Sequence, residues 1–379
     1  MTSGDYDPFV TGPHPVGSRT WQARDEARDR QFTCEIWYPA ESDRPGGTSQ
    51  GGRPAGTPGE ADDNGELRDA APLPGAHPLV VYSHFSGGGR RVSSFLCRHL
   101  ASHGYAVAAL DHSEVAAPEL ASRPGETPEQ RAVRVDAIIA SRVPDVCFLL
   151  ADLVSGEPSQ ASDIGDGAAA AGRRAQAVVD IALDLDQLGL VGHSFGGWTA
   201  LATPNVEPRV RAVAAFAPGG SSEPKPGILP LRLDIAWGRD IPTLYLAADS
   251  DVGIPADGVA ELFDRTPATK RMFTLLRADH QHFLDNVEVV HEAVRSMTFP
   301  GDAAWIPGAM RPISELCSGG AAHSFTRGLT LAHLDASLRQ RPEAKQFLAG
   351  DVVAELAVQG VEATEYRGAS PHPAPALPG

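Results

Sequence analysis

At 379 residues with 42% hydrophobic side chains, the chain is long enough to bury a substantial core, in one large domain or two ordinary ones. A formal net charge of −16 argues against a basic phosphate-binding face, so no nucleic-acid partner is expected. No run approaches the roughly eighteen apolar residues of a membrane span, and Met1–Asp7 has neither the basic start nor the apolar stretch of a secretory signal. The expectation is a soluble, cytoplasmic protein. Cys34, Cys97, Cys147 and Cys317 are widely spaced and form no C-x-x-C pair, which predicts buried free thiols rather than disulfides.

In chain order, residues 31–39 alternate as a strand that ends at Pro39. Residues 41–77 are rich in Gly, Pro, Asp and Ser and read as a long, mobile surface insertion. A compact strand at 79–83 runs into the glycine-rich turn His84-Phe85-Ser86-Gly87-Gly88-Gly89. Phe95, Leu96, Leu100 and His103 fall at helical spacing over 92–103, and Gly104 stops that helix. A short buried strand at 105–110 ends at Asp111. The pattern over 128–154 is helical with an interruption near Pro144, 155–172 is a small-residue loop, and a helix is predicted over 173–183.

The apolar run Leu188–Val191 precedes a helical stretch at 198–202. Strands follow at 211–216, 243–247 and 271–276, with helices at 257–265 and 283–297 and an irregular stretch at 217–240. Further helices are predicted over 324–339 and 342–357, and a Pro-rich disordered tail over 367–379. Strands alternating with helices predict an α/β fold, a mostly parallel central sheet with helices on both faces, as a single domain over 1–366.

Between the run at 188–191 and the helix at 198–202 stands Gly192-His193-Ser194-Phe195-Gly196. A serine between two glycines at a strand-to-helix corner is the nucleophile elbow of serine hydrolases, with the hydroxyl held above the sheet edge. The chain has 39 glycines, so such a pentapeptide alone proves little and its partners must decide. A serine hydroxyl needs an imidazole to take its proton, and the imidazole needs a carboxylate to hold its tautomer. In the α/β-hydrolase arrangement the chain order is Ser, acid, His.

The strand at 243–247 leads into Asp249-Ser250-Asp251, where Asp251 is the preferred acid and Asp249 the alternative. The strand at 271–276 leads into Asp279-His280-Gln281-His282, where His280 is the expected base and His282 packs against or caps the next helix. This H-x-H lacks the adjacent Asp-His of a binuclear zinc pattern, so neither metal nor cofactor is expected. The oxyanion donors are expected to be the N–H groups of Phe195 and Ser86, with Phe85 second. Phe85 and Trp198 are candidate pocket walls, and His193 a structural support. The apolar residues of 217–240, Ile228 to Trp237, either form a small lid or pack on the core.

The segments EIWYPA, PLVVYSHFSGGGRR, LASHGYAVAALDH, GHSFGGWTAL and HQHFLD give the chain a family look over most of residues 8–300. It resembles the platelet-activating-factor acetylhydrolase family of α/β-hydrolases, which includes plasma and type II intracellular enzymes and bacterial relatives. The resemblance implies a phospholipase A2-like or carboxylester hydrolase acting on a small-molecule ester or lipid, with Ser194 as nucleophile and His280 as base. Two positions depart from the pattern. Where the vertebrate enzymes carry their acid, this chain reads Ala215-Phe216-Ala217-Pro218, which moves the acid one strand later to Asp251, as in dienelactone-hydrolase-like and polyester-hydrolase-like relatives. Phe85 stands where those enzymes have glycine, narrowing the acyl site. A catalytically silent α/β-hydrolase scaffold that binds a ligand is the reading from a different class.

Overall fold

The structure is a computed structural model that describes residues 6–41, 65–112, 123, 125–155 and 181–368. Its strands are β1 (Val16–Asp25), β2 (Arg30–Pro39), β3 (Leu67–Arg68), β4 (His77–Ser83), β5 (Ala106–Leu110), β6 (Leu183–His193), β7 (Val210–Phe216), β8 (Thr243–Ala248), β9 (Lys270–Leu275) and β10 (Ala363–Tyr366). They form one sheet in the order β10-β9-β8-β7-β6-β4-β5-β2-β1-β3. The six neighbours from β9 to β5 are parallel. β2 joins β5, β1 joins β2 and β10 joins β9 antiparallel.

The principal helices are α1 (Ser94–Ser102), α2 (Pro128–Ser155), α3 (Phe195–Ala202), α4 (Ala256–Arg265), α5 (Val287–Arg295), α6 (Gly319–Ser337), α7 (Pro342–Ala349) and α8 (Val352–Val358). β4, β5 and β8 are buried at every position, which suits parallel strands covered on both faces. The period of two then divides the core. Val80 and Tyr82 pack with Leu96 and Leu100 of α1 and Phe325 and Leu329 of α6. Leu79 and Val81 pack on the opposite face with Leu149 and Leu150 of α2 and Val259 and Leu262 of α4.

From β4 the chain goes through α1 to β5 on one side, and then returns past β4 to β6 on the other. The strand order therefore reverses between β4 and β6, and the crevice beyond their carboxyl ends is where open α/β sheets bind ligands. Ser83 ends β4 and His193 ends β6, so the turn at 84–89 and the elbow at 194 flank this crevice.

The sequence reading needs correction at several places. The helix α2 runs unbroken through Pro144. One helical hydrogen bond is lost there, but Val146, Leu149, Leu150 and Leu153 are buried beyond the proline and hold the helix to the sheet. Of the insertion predicted over 41–77, residues 42–64 lie outside the described residues, whereas 65–77 is tied down. Glu66 is buried there and accepts from Trp37 Nε1 at 3.0 Å and Arg91 at 2.7 Å. The helix predicted over 173–183 lies largely outside the described residues, and Leu183 already belongs to β6. The helix predicted from 283 begins at Val287, because 280–283 is a 3-10 turn. The one at 342–357 is broken at Gly350 into α7 and α8. Of the loop predicted over 155–172, Ser155 instead ends α2 and 156–172 fall outside the described residues, as does the tail from 369. All four cysteines are free, with Cys34 and Cys97 buried and Cys147 and Cys317 half-buried. Among the described residues no helix is long and apolar enough to cross a membrane.

Candidate active site

The corner between β6 and α3 puts Ser194 at φ +58° and ψ −116°, a conformation that costs an L-residue about 1–3 kcal/mol. Its surroundings hold it there. Ser194 N–H donates to Phe216 O at 2.8 Å, and its carbonyl accepts from Trp198 N at 3.0 Å and Gly219 N at 3.2 Å. Both flanking glycines are sterically required. A Cβ on Gly192 would stand 2.1 Å from Gly196 O, and one on Gly196 would stand 1.9 Å from Ser83 O. The second contact shows how tightly the elbow is pressed onto the end of β4.

Asp251 and His280 come from the loops after β8 and β9, and they meet. His280 Nδ1 lies 2.6 Å from Asp251 Oδ2. The other oxygen, Asp251 Oδ1, accepts from the backbone N–H groups of Gly253 at 2.9 Å and Ile254 at 2.8 Å. With both oxygens engaged, the carboxylate is aimed at the ring, and the ring carries its proton on Nδ1, leaving Nε2 as the proton acceptor. Burial pulls the His280 pKa down, but the charge of Asp251, its hydrogen bond and the charge of Asp279 outweigh that and raise it. The His280 side chain stays 18% exposed. Its ring centroid is 4.5 Å from that of His193, the residue before Ser194. The alternative acid, Asp249, instead accepts from Ala278 N at 3.1 Å and does not face the ring of His280.

The neighbours of this pair are packing groups. His193 is buried between His280, Phe283 and Phe85, and burial together with the charge of His280 keeps it neutral. His282 Nδ1 accepts from Asp279 N at 3.0 Å and its Nε2 faces Cys317 O at 3.2 Å, so it caps a turn. His280 and His282 thus point to different partners and do not converge on a common point.

The turn after β4 packs against His193. Phe85, Ser86 and Gly87 are half-buried, and the Phe85 ring lies 5.7 Å from that of His193. Phe195 opens α3, so its N–H has no intrahelical acceptor. Trp198 is buried and donates Nε1–H to Arg232 O at 2.7 Å. Its cluster with Phe195, Ile138 and Leu231 fastens the segment 217–240 to the elbow helix. Leu231, Ile235 and Trp237 of that segment are buried, and Trp237 Nε1 donates to Leu201 O at 3.1 Å. Where the segment reaches the acid loop, a cleft of about 420 Å³ opens between Ile228, Leu229 and Lys225 on one side and Gly253, Ile254 and Pro255 on the other.

Three groups that support this geometry escaped the sequence reading. Asp285, at the end of HQHFLD, accepts from Ser94 N at 2.8 Å and Phe95 N at 3.0 Å, which caps α1 and ties the His280 loop across the sheet. Asp145, His112 and Ser83 form a hydrogen-bonded Ser-His-Asp set at the end of β4. His112 Nδ1 is 2.9 Å from Asp145 Oδ2, and His112 Nε2 is 3.1 Å from Ser83 Oγ. Arg142, wholly buried on α2, donates to Ser83 Oγ at 3.1 Å and His84 O at 2.8 Å. The only local hint in the sequence was Asp111-His112 at the end of a strand; Arg142 and Asp145 read as ordinary polar positions of a helix.

A mostly parallel sheet covered on both faces, with a serine elbow, an acid and a histidine at successive strand ends, defines the α/β-hydrolase fold. The model of the family described as platelet-activating factor acetylhydrolase, isoform II, matches residues 59–133, the stretch that contains β4, the turn after it and β5. The chain is also similar in structure to a ferulic acid esterase from Streptomyces cinnamoneus, with a TM-score of 0.57 and 22% identity, over 93% of this chain and 96% of that one. A part of the chain thus matches that family, and the whole has the α/β-hydrolase fold.

Proposed function

We propose that the protein is a metal-independent serine carboxylester hydrolase. The observation that carries this reading is the 2.6 Å bond between Asp251 and His280, whose ring packs on His193, the residue before the strained, elbow-mounted Ser194. In the proposed reaction Ser194 Oγ attacks the ester carbonyl while His280 Nε2 takes its proton. The oxyanion that forms is held by the N–H groups of Phe195 and Ser86. The C–O bond then breaks, and His280 returns the proton to the leaving alcohol. A water, deprotonated by the same nitrogen, attacks the acyl-enzyme and releases the acid and Ser194. Asp251 keeps the His280 proton on Nδ1 and stabilises the ring when it becomes a cation.

For the substrate we favour an ester with a short or flat acyl group. Phe85 against His193 narrows the mouth of the site, and Ile228, Leu229 and Ile254 offer an apolar wall next to the acid loop. That reading accommodates both similarities, an acetyl ester of a lipid and an ester of an aromatic acid. The test is a series of esters of increasing acyl length, with fluorophosphonate labelling of the native and Ser194→Ala proteins. Labelling and turnover of p-nitrophenyl acetate that vanish in Ser194→Ala support the reading. A folded native protein that neither labels nor cleaves any activated short-chain ester would leave the silent scaffold instead.

A further inference from the structure

We infer that Arg142 is the positioning residue of the oxyanion hole, holding both of its walls from behind; this rests on the serine-hydrolase reading above. Its guanidinium reaches three acceptors at the end of β4: Ser83 Oγ at 3.1 Å, His84 O at 2.8 Å and Phe85 O at 3.4 Å. The same group lies with its carbon 4.2 Å from the centroid of the Phe195 ring. One side chain therefore touches the residue that supplies one donor and the peptide that supplies the other.

The direction of the Ser86 N–H follows from this. Phe85 O accepts from Arg142, from Gly88 N at 3.0 Å and from His84 Nδ1 at 2.7 Å. In a trans peptide the C=O and the next N–H point in opposite directions. Three donors fix the Phe85 carbonyl on the Arg142 side, so the Ser86 N–H is turned to the other side, away from the buried cluster. A cation at the carbonyl end also polarises the peptide and makes its N–H a stronger donor.

The histidines behind the turn have assignable roles. His112 N–H donates to His84 Nε2 at 3.0 Å, so the neutral His84 ring carries its proton on Nδ1 and donates it to Phe85 O. Burial first, and then the charge of Arg142, hold both His84 and His112 well below the usual histidine pKa, consistent with neutral rings. His112 donates from Nδ1 to Asp145 and accepts at Nε2 from Ser83 Oγ–H, whose oxygen in turn accepts from Arg142. Every link in this chain has a donor and an acceptor, and it ends on the Phe85 carbonyl. Such a network fixes one orientation and leaves no room to flip the peptide.

The experiment compares Arg142→Met, Arg142→Lys and Ser83→Ala with the native protein, each rate divided by the number of sites titrated with a fluorophosphonate. For Arg142→Met we expect kcat to fall about 10²-fold, the cost of a misplaced oxyanion donor. KM should stay within about threefold, and an alkyl boronic acid that forms a tetrahedral adduct on Ser194 should weaken in proportion to kcat. The acid limb of the pH profile, which belongs to His280, should not move. Arg142→Lys keeps the charge but not the fork, so it should recover part of the loss. A kcat per titrated site within about twofold of native in Arg142→Met overturns the proposal, whatever happens to stability. If Arg142→Met does not fold, the same criterion applied to Arg142→Lys and Ser83→Ala decides. The underlying reading fails separately, and this proposal with it, if the native protein does not label or if Ser194→Ala retains full turnover.

Discussion

The molecule contains two Asp–His pairs whose hydrogen bonds are nearly alike and whose environments are opposite. In one, Asp251 faces His280 at 2.6 Å; in the other, Asp145 faces His112 at 2.9 Å. His280 keeps 18% of its side chain exposed, and its ring lies 4.5 Å from that of His193, the residue before the strained Ser194. His112 is buried, and its serine, Ser83, is the last residue of an ordinary strand. Charge separates them further. Asp251 is oriented by two backbone N–H groups, so its negative charge acts on His280 and raises the pKa of that ring. Asp145 is clamped by Arg28 at 2.8 Å and Arg30 at 3.0 Å. With Arg142 also nearby, His112 feels burial and three cations, which together keep it neutral. The proposal that only the first pair is hydrolytic therefore rests on access and on the sign of the surrounding charge, not on the hydrogen-bond pattern.

The sharpest way to break this comparison is to remove each serine. Ser194→Ala should lower turnover by about 10⁴-fold or more and abolish fluorophosphonate labelling; Ser83→Ala should still label at Ser194. If Ser83→Ala loses labelling while folded and Ser194→Ala does not, the two roles are reversed. The acids come next. Asp251→Asn should cost about 10³- to 10⁴-fold in kcat by favouring the wrong His280 tautomer. Asp145→Ala should act on stability instead, by about 3 kcal/mol in denaturant unfolding, because it strips the half-buried Arg28 and Arg30 and the buried His112 of their partner.

The two histidines then separate by pH. The base must be neutral, so kcat/KM should rise with pH through a midpoint above 6.5, and Asp251→Asn should move that midpoint down. His84 and His112 work in the other direction, on stability. Their folded pKa values are depressed, so below about 6.5 the unfolded chain binds more protons and stability falls as the pH drops, by up to about 1.4 kcal/mol per unit for each ring. A melting temperature flat from pH 7 to 5 would contradict buried neutral rings. The smallest effect belongs to Asp249→Asn, which should stay within about threefold of native turnover, since its carboxylate ties the loop to Ala278.

Much of the fold was readable because its signals are local. Most parallel strands contain a short apolar run, most helices keep their spacing, and the elbow needs its glycines within five residues. What was missed has long-range causes. β10 is a short edge strand whose pairing with β9 depends on residues about ninety positions earlier, as between Thr364 and Thr274. Pro144 broke a helix on paper because sequence patterns carry no information on how much burial holds the helix beyond it. The last third of the predicted insertion turned out to be anchored because the buried Glu66 finds Trp37, Arg91 and Arg98.

By itself the sequence determined the alternation of strands and helices and the order Ser194, Asp251, His280, since each is written in a few adjacent residues whose period and turn chemistry act locally. Only the tertiary structure decided which carboxylate faces the histidine, that Asp285 caps α1, and that Arg142 lies behind the turn after β4. Those contacts join residues 29, 191 and 59 positions apart. They exist because strand order and helix packing bring distant segments to one sheet edge, and no local pattern encodes that distance.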